Sequence, residues 1–333
     1  MELVKLHAGQ ADLTRIQAVP VTLFPENYAL HLEAATLVET HLKCAFLLRE
    51  NDRDIGSIVL FDNPDHYLDG ERAMCVGYFH CPDDQKLANR LIDAARKEVR
   101  QSGVHHLIGP LNGTTWDSYR FKGADDPPSF FLEVANPAYY NKLFREAGFK
   151  EIKSYSSFLE KPIKPMPERV KKREQELFDA GIRIRTIDPN QYERDLSMIH
   201  ELSHKCFKDN FLFTSHSFSD YIQKYSMLEG IARPELTLMA EDGDRLVGFV
   251  FMIDDIFCNT EKRIIFKTYA SLSDERYHGL GTVLAQRLLA SLLADGYESA
   301  MRSLIVDGSL SSRIAGTDNP VYRKYYLYGL RID

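Results

Sequence analysis

Arg276-Tyr-His-Gly279-Leu-Gly281-Thr282 is the stretch of this chain whose residue types and spacing point most directly to chemistry. Two glycines so close together let the backbone turn sharply and approach a ligand with no Cβ in the way. An apolar run at helical spacing, Leu284, Leu288 and Leu292, follows and ends at Gly296, where a C-terminal cap belongs. The first N–H groups of such a helix have no partner within it, and its positive dipole end faces the loop. That combination is a cradle for a diphosphate. The spacing lacks the Gly-Lys-Ser/Thr of a nucleoside triphosphate loop and the third glycine of a dinucleotide fold.

The elements around the loop have to hold it. Upstream, Ile264-Ile-Phe-Lys-Thr-Tyr-Ala-Ser-Leu272 is β-branched and aromatic and reads as a buried strand. Strand, glycine loop and capped helix therefore arrive in that order. The order resembles the signature of the GNAT N-acetyltransferase superfamily, whose acyl-coenzyme A site uses Arg/Gln-x-x-Gly-x-Gly/Ala. The resemblance implies that the amides of Tyr277, His278, Gly279, Leu280, Gly281 and Thr282 grip the pyrophosphate of coenzyme A, with Arg276 adding charge. It implies acetyl-CoA or another acyl-CoA as co-substrate and no metal. It also implies that the strand before the loop splays from its neighbour, so that amides near Ala270 to Leu272, Ser271 and Leu272 among them, polarise the thioester carbonyl.

Composition bounds the possibilities. At 333 residues the chain fits two domains of about 150 residues. Hydrophobic residues at 44% and charged residues at 27% are ordinary for a globular protein. A net charge of −7 disfavours nucleic acid and mildly favours cationic substrates such as amines. No apolar run approaches the length of a membrane span and Met1-Glu-Leu-Val-Lys is not a signal peptide, so a cytoplasmic protein with no membrane partner is expected. Cys44, Cys75, Cys81, Cys206 and Cys258 are scattered with no Cys-x-x-Cys, which suggests neither zinc nor a disulfide framework.

The chain also carries a faint internal repeat. Leu236–Glu241, the turn Asp242-Gly-Asp244, and Leu246–Ile253 read as a hairpin, and Ala45–Glu50, Asn51–Asp54 and Ile55–Phe61 copy it. Gly56 and Gly248 lie 192 positions apart; Gly103 and Gly296 lie 193 apart. Lys161-Pro-Ile-Lys-Pro-Met-Pro167 can continue neither helix nor strand and marks the seam. Beyond it a connecting helix (168–180), a strand at Ile182–Ile187 and helices over 191–206 and 218–228 are expected. The division is 1–165 and 166–333. The fold class is α/β (α+β): two tandem GNAT-like domains, each a mixed, mostly antiparallel sheet flanked by helices.

The copies differ at the loop. Asp83, Lys86 and Ala88 stand where the second copy has Arg276, Gly279 and Gly281, so the first copy offers carboxylates to a pyrophosphate and is degenerate. Its Ile108-Gly-Pro-Leu-Asn112-Gly-Thr-Thr-Trp116 segment is turn-rich. Together with the Pro-Pro and Asn-Pro segments that follow, it resembles a group of tandem GNAT-like bacterial proteins.

Acyl transfer to an amine needs a held thioester, a proton acceptor for the ammonium and a stabilised thiolate. Lys267 and Tyr269 fall on one face by strand alternation and either line the acceptor site or lie at the surface. Glu241 and Asp254, at strand ends, are candidate bases, Glu241 ranked first. Resembling proteins protonate the thiolate with a tyrosine on the helix after the fifth strand. Here Ser299–Val306 leads into a serine-rich helix start, so Ser309 and Ser312 are expected to touch pantetheine or phosphate. Tyr325 imitates the family tyrosine, but Val321 to Ile332 reads better as the strand closing the sheet. The expected enzyme is a GNAT-type N-acetyltransferase acting by direct attack in a ternary complex on a small-molecule or peptide amine. A non-catalytic coenzyme A-binding scaffold and a tandem-GNAT aminoacyl transferase using charged tRNA are the rivals.

Overall fold

The computed structural model describes residues 1–9, 12–27, 29–31, 37–226 and 233–332. In the first copy the chain runs β1 (Glu2–His7), α1 (Thr14–Leu23), β2 (Leu42–Glu50), β3 (Arg53–Phe61), β4 (Tyr67–Leu68) and β5 (Glu71–His80). It continues through α2 (Gln85–Gln101), β6 (His106–Gly109), β7 (Phe121–Lys122), α3 (Tyr140–Glu146) and β8 (Lys150–Glu160). The second copy begins with α4 (Glu168–Asp179), β9 (Ile182–Thr186), α5 (Tyr192–Phe207) and α6 (Phe218–Ser226), then β10 (Thr237–Asp242), β11 (Arg245–Asp254) and β12 (Arg263–Ser271). It ends with α7 (Leu280–Ala294), β13 (Ser299–Val306), α8 (Leu310–Gly316) and β14 (Val321–Arg331). The expected elements are present, and residues 227 and 228 of the expected helix over 218–228 lie outside the described residues.

The repeated glycines have a packing reason. A Cβ on Gly248 in β11 would stand 2.9 Å from Leu280 and 3.3 Å from Leu284 of α7. A Cβ on Gly56 in β3 would stand 3.4 Å from Leu91 of α2. In both copies the missing side chain lets the helix settle directly on the sheet. Each helix buries its inner stripe there: Leu91, Ile92, Ala95 and Val99 in α2, and Leu280, Leu284 and Leu288 in α7.

One sheet runs through both copies in the order β1-β2-β3-β5-β6-β14-β8-β13-β12-β11-β10-β9. Pairing along it is antiparallel except for β5–β6 and β12–β13. The closing strands are exchanged. β8, the last strand of the first copy, pairs with β13 of the second, while β14, the last strand of the second, pairs with β6 of the first. Val321 onward is thus a strand, as expected, but its neighbours are β6 and β8. Tyr325 within it is fully buried and donates to Glu133, so it does not stand at a thiolate.

Candidate active site

β12 and β13 run parallel for four rungs, from Arg263 opposite Ser299 to Phe266 opposite Arg302, and then part. Ser303 donates to the Phe266 carbonyl at 2.7 Å and satisfies the last acceptor before the fork. At the fork β12 is irregular: Thr268 opposes Phe251 and Phe266 opposes Met252, leaving Lys267 as an extra residue. Such a bulge re-aims its side chain and breaks the two-residue period. Phe266 and Tyr269, three apart, consequently share the core under α7. The alternation expected to place Lys267 and Tyr269 on one face does not survive the bulge, yet both line the same cavity.

That cavity encloses about 720 Å³ between the forked strands, α5, α6, α8 and β8. Aromatic rings form much of its apolar wall, with Tyr155, Phe207, Phe249, Phe251 and Phe266 from the elements and Trp116 from the first copy. Trp116 is locked in place: its Nε1 donates to the Thr214 carbonyl at 2.9 Å, and its ring stacks on His204. Lys224 of α6 reaches back to Asp117 at 2.8 Å and to the Trp116 carbonyl. Both copies therefore build the cavity.

Lys267 points into this space with no hydrogen-bond or ion-pair partner among the described residues. Its side chain is open to the cavity but has the cavity walls all round it. Removal from bulk water, then the neighbouring charges of Lys224 and Arg120, lower its pKa from 10.5 to about 8. Among the described residues, Asp209 is the carboxylate that lines the cavity, against Lys153, Lys224, Arg233, Lys267 and Arg302. The net charge of the chain thus misstates the charge of its cavity.

The glycine loop begins where β12 ends. Glu275–Tyr277 form a single tight turn in which the Asp274 carboxylate accepts from the Arg276 N–H at 2.9 Å. Gly279 takes φ +80°, a left-handed conformation that glycine adopts without strain, and starts α7 with no side-chain cap. Val283 makes the first backbone bond of the helix, to Gly279, so the N–H groups of Leu280, Gly281 and Thr282 face outward with no acceptor among the described residues. A Cβ on Gly281 would meet only Ser271 Oγ at 3.5 Å and the Tyr269 ring at 3.9 Å. This open mouth, bordered by cavity-lining Tyr269, fits a diphosphate-bearing ligand whose tail enters the fork.

The other expected residues divide. Arg276 does not reach over the mouth: its guanidinium pairs with Asp242 at 2.8 Å and donates to the Ala180 carbonyl. Tyr277 is buried and its hydroxyl donates to the same carboxylate, while the His278 and Thr282 side chains are exposed at the loop. The Tyr277 and His278 amides, expected to grip a pyrophosphate, instead donate to the Asp274 and Glu275 carbonyls at 3.0 and 3.1 Å within the turn. Leu272 is excluded as a polarising amide, because its N–H donates to the Val247 carbonyl. The antiparallel pattern then turns Ala270 toward β11 as well, and leaves the amides of Tyr269 and Ser271 facing the fork. Ser309 lines the cavity, but its hydroxyl donates to Val306 and accepts from the Ser312 N–H, closing the start of α8.

Neither expected base reaches the cavity. Glu241 accepts from Arg185 at 2.7 Å, and the same guanidinium holds Asp195 at 2.6 Å. Asp254 opposes Ile264, seven residues from Ser271 and so roughly 20 Å along the strand from the loop. There it accepts from Tyr297 and pairs with Arg233. Strand ends often border clefts, which is what makes these acids candidates from sequence; Lys267, Lys224 and the aromatic walls carry no local motif that would single them out.

The matching places in the first copy are filled. β5 and β6 run parallel from Ala73 opposite His106, as β12 and β13 do from Arg263 opposite Ser299. Counted from those rungs, Gly77 holds the position of Lys267. A Cβ on Gly77 would lie 2.3 Å from Asn112 Oδ1, and that oxygen accepts the Tyr78 N–H at 2.9 Å. At the mouth of α2, the Asp84 carboxylate accepts from Lys86 and Leu87 at 2.7 and 3.2 Å. The first copy thus closes its fork with an asparagine and its helix mouth with a carboxylate.

This architecture is the tandem fold of the GCN5-related N-acetyltransferases. A tandem GNAT protein from the clavulanic acid biosynthesis pathway matches over 100% of this chain and 98% of its own, with TM-score 0.54 and 14% identity. A GCN5-related N-acetyltransferase from Sphaerobacter thermophilus matches over 99% and 96%, with TM-score 0.54 and 13% identity. Another from Anabaena variabilis matches over 100% and 73%, with TM-score 0.60 and 8% identity. At these identities the likeness is one of fold. No family model matches the chain. Among curated proteins, a bacterial ceramide synthase of Caulobacter vibrioides is 23% identical over 219 residues, covering 63% of this chain. Those residues are 56% of the relative, so the chain spans little more than half of that protein's length.

Proposed function

We propose that the second copy is an N-acyltransferase that takes an acyl group from acyl-coenzyme A and transfers it to the amine of a long-chain, largely apolar acceptor. The observation that carries this reading is the aromatic cavity of about 720 Å³ at the fork of β12 and β13, opening beside an uncapped helix mouth. Its volume lies in the upper part of the ~300–1,000 Å³ range of small-molecule sites. Its apolar walls suit an alkyl chain better than a peptide. The likeness to a bacterial ceramide synthase supports an acceptor of that kind.

The residues divide the work by place. The amides of Leu280, Gly281 and Thr282 hold the diphosphate, and those of Tyr269 and Ser271 face the thioester carbonyl. Acyl-coenzyme A supplies the activated carbonyl when bound. The walls exclude water and favour aminolysis over hydrolysis. The deciding experiment measures free thiol released from acyl-coenzymes A of two to eighteen carbons, offered with long-chain amino alcohols, short amines or peptides. Turnover with the long-chain amine is expected. Binding of the donor without thiol release would support the scaffold instead, and equal turnover of short amines or peptides would remove the lipid acceptor.

A further inference from the structure

The acceptor's amine arrives as an ammonium and has to lose a proton, yet both carboxylates expected to take it stand outside the cavity. Asp209 also lines the cavity, but from the segment after α5 and not from the forked strands. Resting on the proposed function, we infer that Lys267 is the general base of the acyl transfer. It stands at the vertex of the fork, two residues before the Tyr269 amide that faces the thioester carbonyl, on a bulge that sends its side chain into the cavity.

The groups around it leave it the task. Lys224 is tied to Asp117, Arg302 to Glu160, and Arg233 to Glu235. Arg120 donates to Leu304 and stacks against Tyr119 and Tyr155, and Lys153 lies over the Phe211 ring. Tyr155, Tyr221, Tyr225 and Cys206 are pushed up by burial and stay neutral; Tyr119, Tyr192 and Tyr269 complete the titratable lining. Among the described residues Lys267 differs from these cations in having no hydrogen bond, ion pair or aromatic ring against its ammonium, and its lowered pKa makes part of it a neutral amine near pH 7 to 8. The copy whose fork is shut carries Gly77 at the same place.

The step balances. Neutral Lys267 takes one proton from the acceptor ammonium. The freed nitrogen attacks the carbonyl carbon, the N–C bond forms and the C–S bond breaks. The second proton lost by the nitrogen ends on the departing sulfur, and Lys267 returns its proton to solvent before the next turnover. No oxidant or metal enters.

Lys267→Arg and Lys267→Gln test this on the full chain. Both should keep the thermal shift caused by acyl-coenzyme A, showing that fold and donor site survive. Both should lose 10²-fold or more in kcat, and the rise of wild-type kcat toward a midpoint near pH 8 should vanish. Carbon-13 NMR of wild type dimethylated on lysine should show one resonance, missing in Lys267→Gln, titrating well below the others. An arginine variant within fivefold of wild type would reduce Lys267 to a charge, and an unchanged pH limb in the variants would assign the proton elsewhere. Wild type that binds donor but releases no thiol with any amine overturns the proposed function itself, and this role with it.

Discussion

Glu133 and Arg323 form an ion pair of 2.7 Å that solvent does not reach, between a loop of the first copy and the exchanged strand β14 of the second. Arg323 also donates to the Ala124 and Pro127 carbonyls, and Tyr325 donates to Glu133. Removing one partner of such a pair strands a buried charge. Arg323→Met is expected to cost about 3–5 kcal/mol in urea unfolding, with both copies melting in one transition. A second, independent transition would show that the exchanged strands do not couple the copies.

Lys267 makes stability depend on pH. Its folded pKa of about 8 lies below the unfolded value of 10.5, so between the two the unfolded chain binds more protons. The penalty is fully present below pH 8 and fades as pH rises toward 10.5. Lys267→Met should therefore melt above wild type at pH 7, and the gap should shrink by pH 10. A constant gap across that range would mean the lysine is not charged against its surroundings.

The helix mouth of α7 makes a sharp prediction about ligand binding. Acyl-coenzyme A at a hundred times its Kd should stabilise wild type by about 2.7 kcal/mol. Gly281→Glu should erase that shift while leaving the unliganded melting point nearly unchanged, because a Cβ at Gly281 meets only ordinary contacts at 3.5 and 3.9 Å. A retained shift would place the diphosphate elsewhere.

In the first copy, Asn112 is expected to be structural. Asn112→Ala strands the buried Tyr78 N–H and should cost about 1–3 kcal/mol in chemical denaturation without altering acyl-coenzyme A binding. A change in donor affinity instead would tie the first fork to the working one.

Much of this was legible in residue order because it is local. Gly279 before an apolar helix gives an uncapped mouth, and Asp84 before another gives a capped one; a few neighbouring residues settle each case. The repeat was legible for a similar reason, since Gly56 and Gly248 answer the same need for a helix to touch a strand.

The tertiary structure alone decided the rest. Strand character in Val321–Arg331 is written in its alternation, but its neighbours β6 and β8 come from the first copy. Trp116 faces Thr214, 98 residues away, and no spacing announces a cavity built across that distance. Arg276 carries the right charge in the right motif, yet Asp242 claims it. The sequence determined which helix mouth is open and that the unit is duplicated, because backbone caps and glycine contacts act over a few residues. Which side chains meet in the fork depended on a one-residue bulge at Lys267 and on the exchange of strands, and both are set by pairing partners far away in the chain.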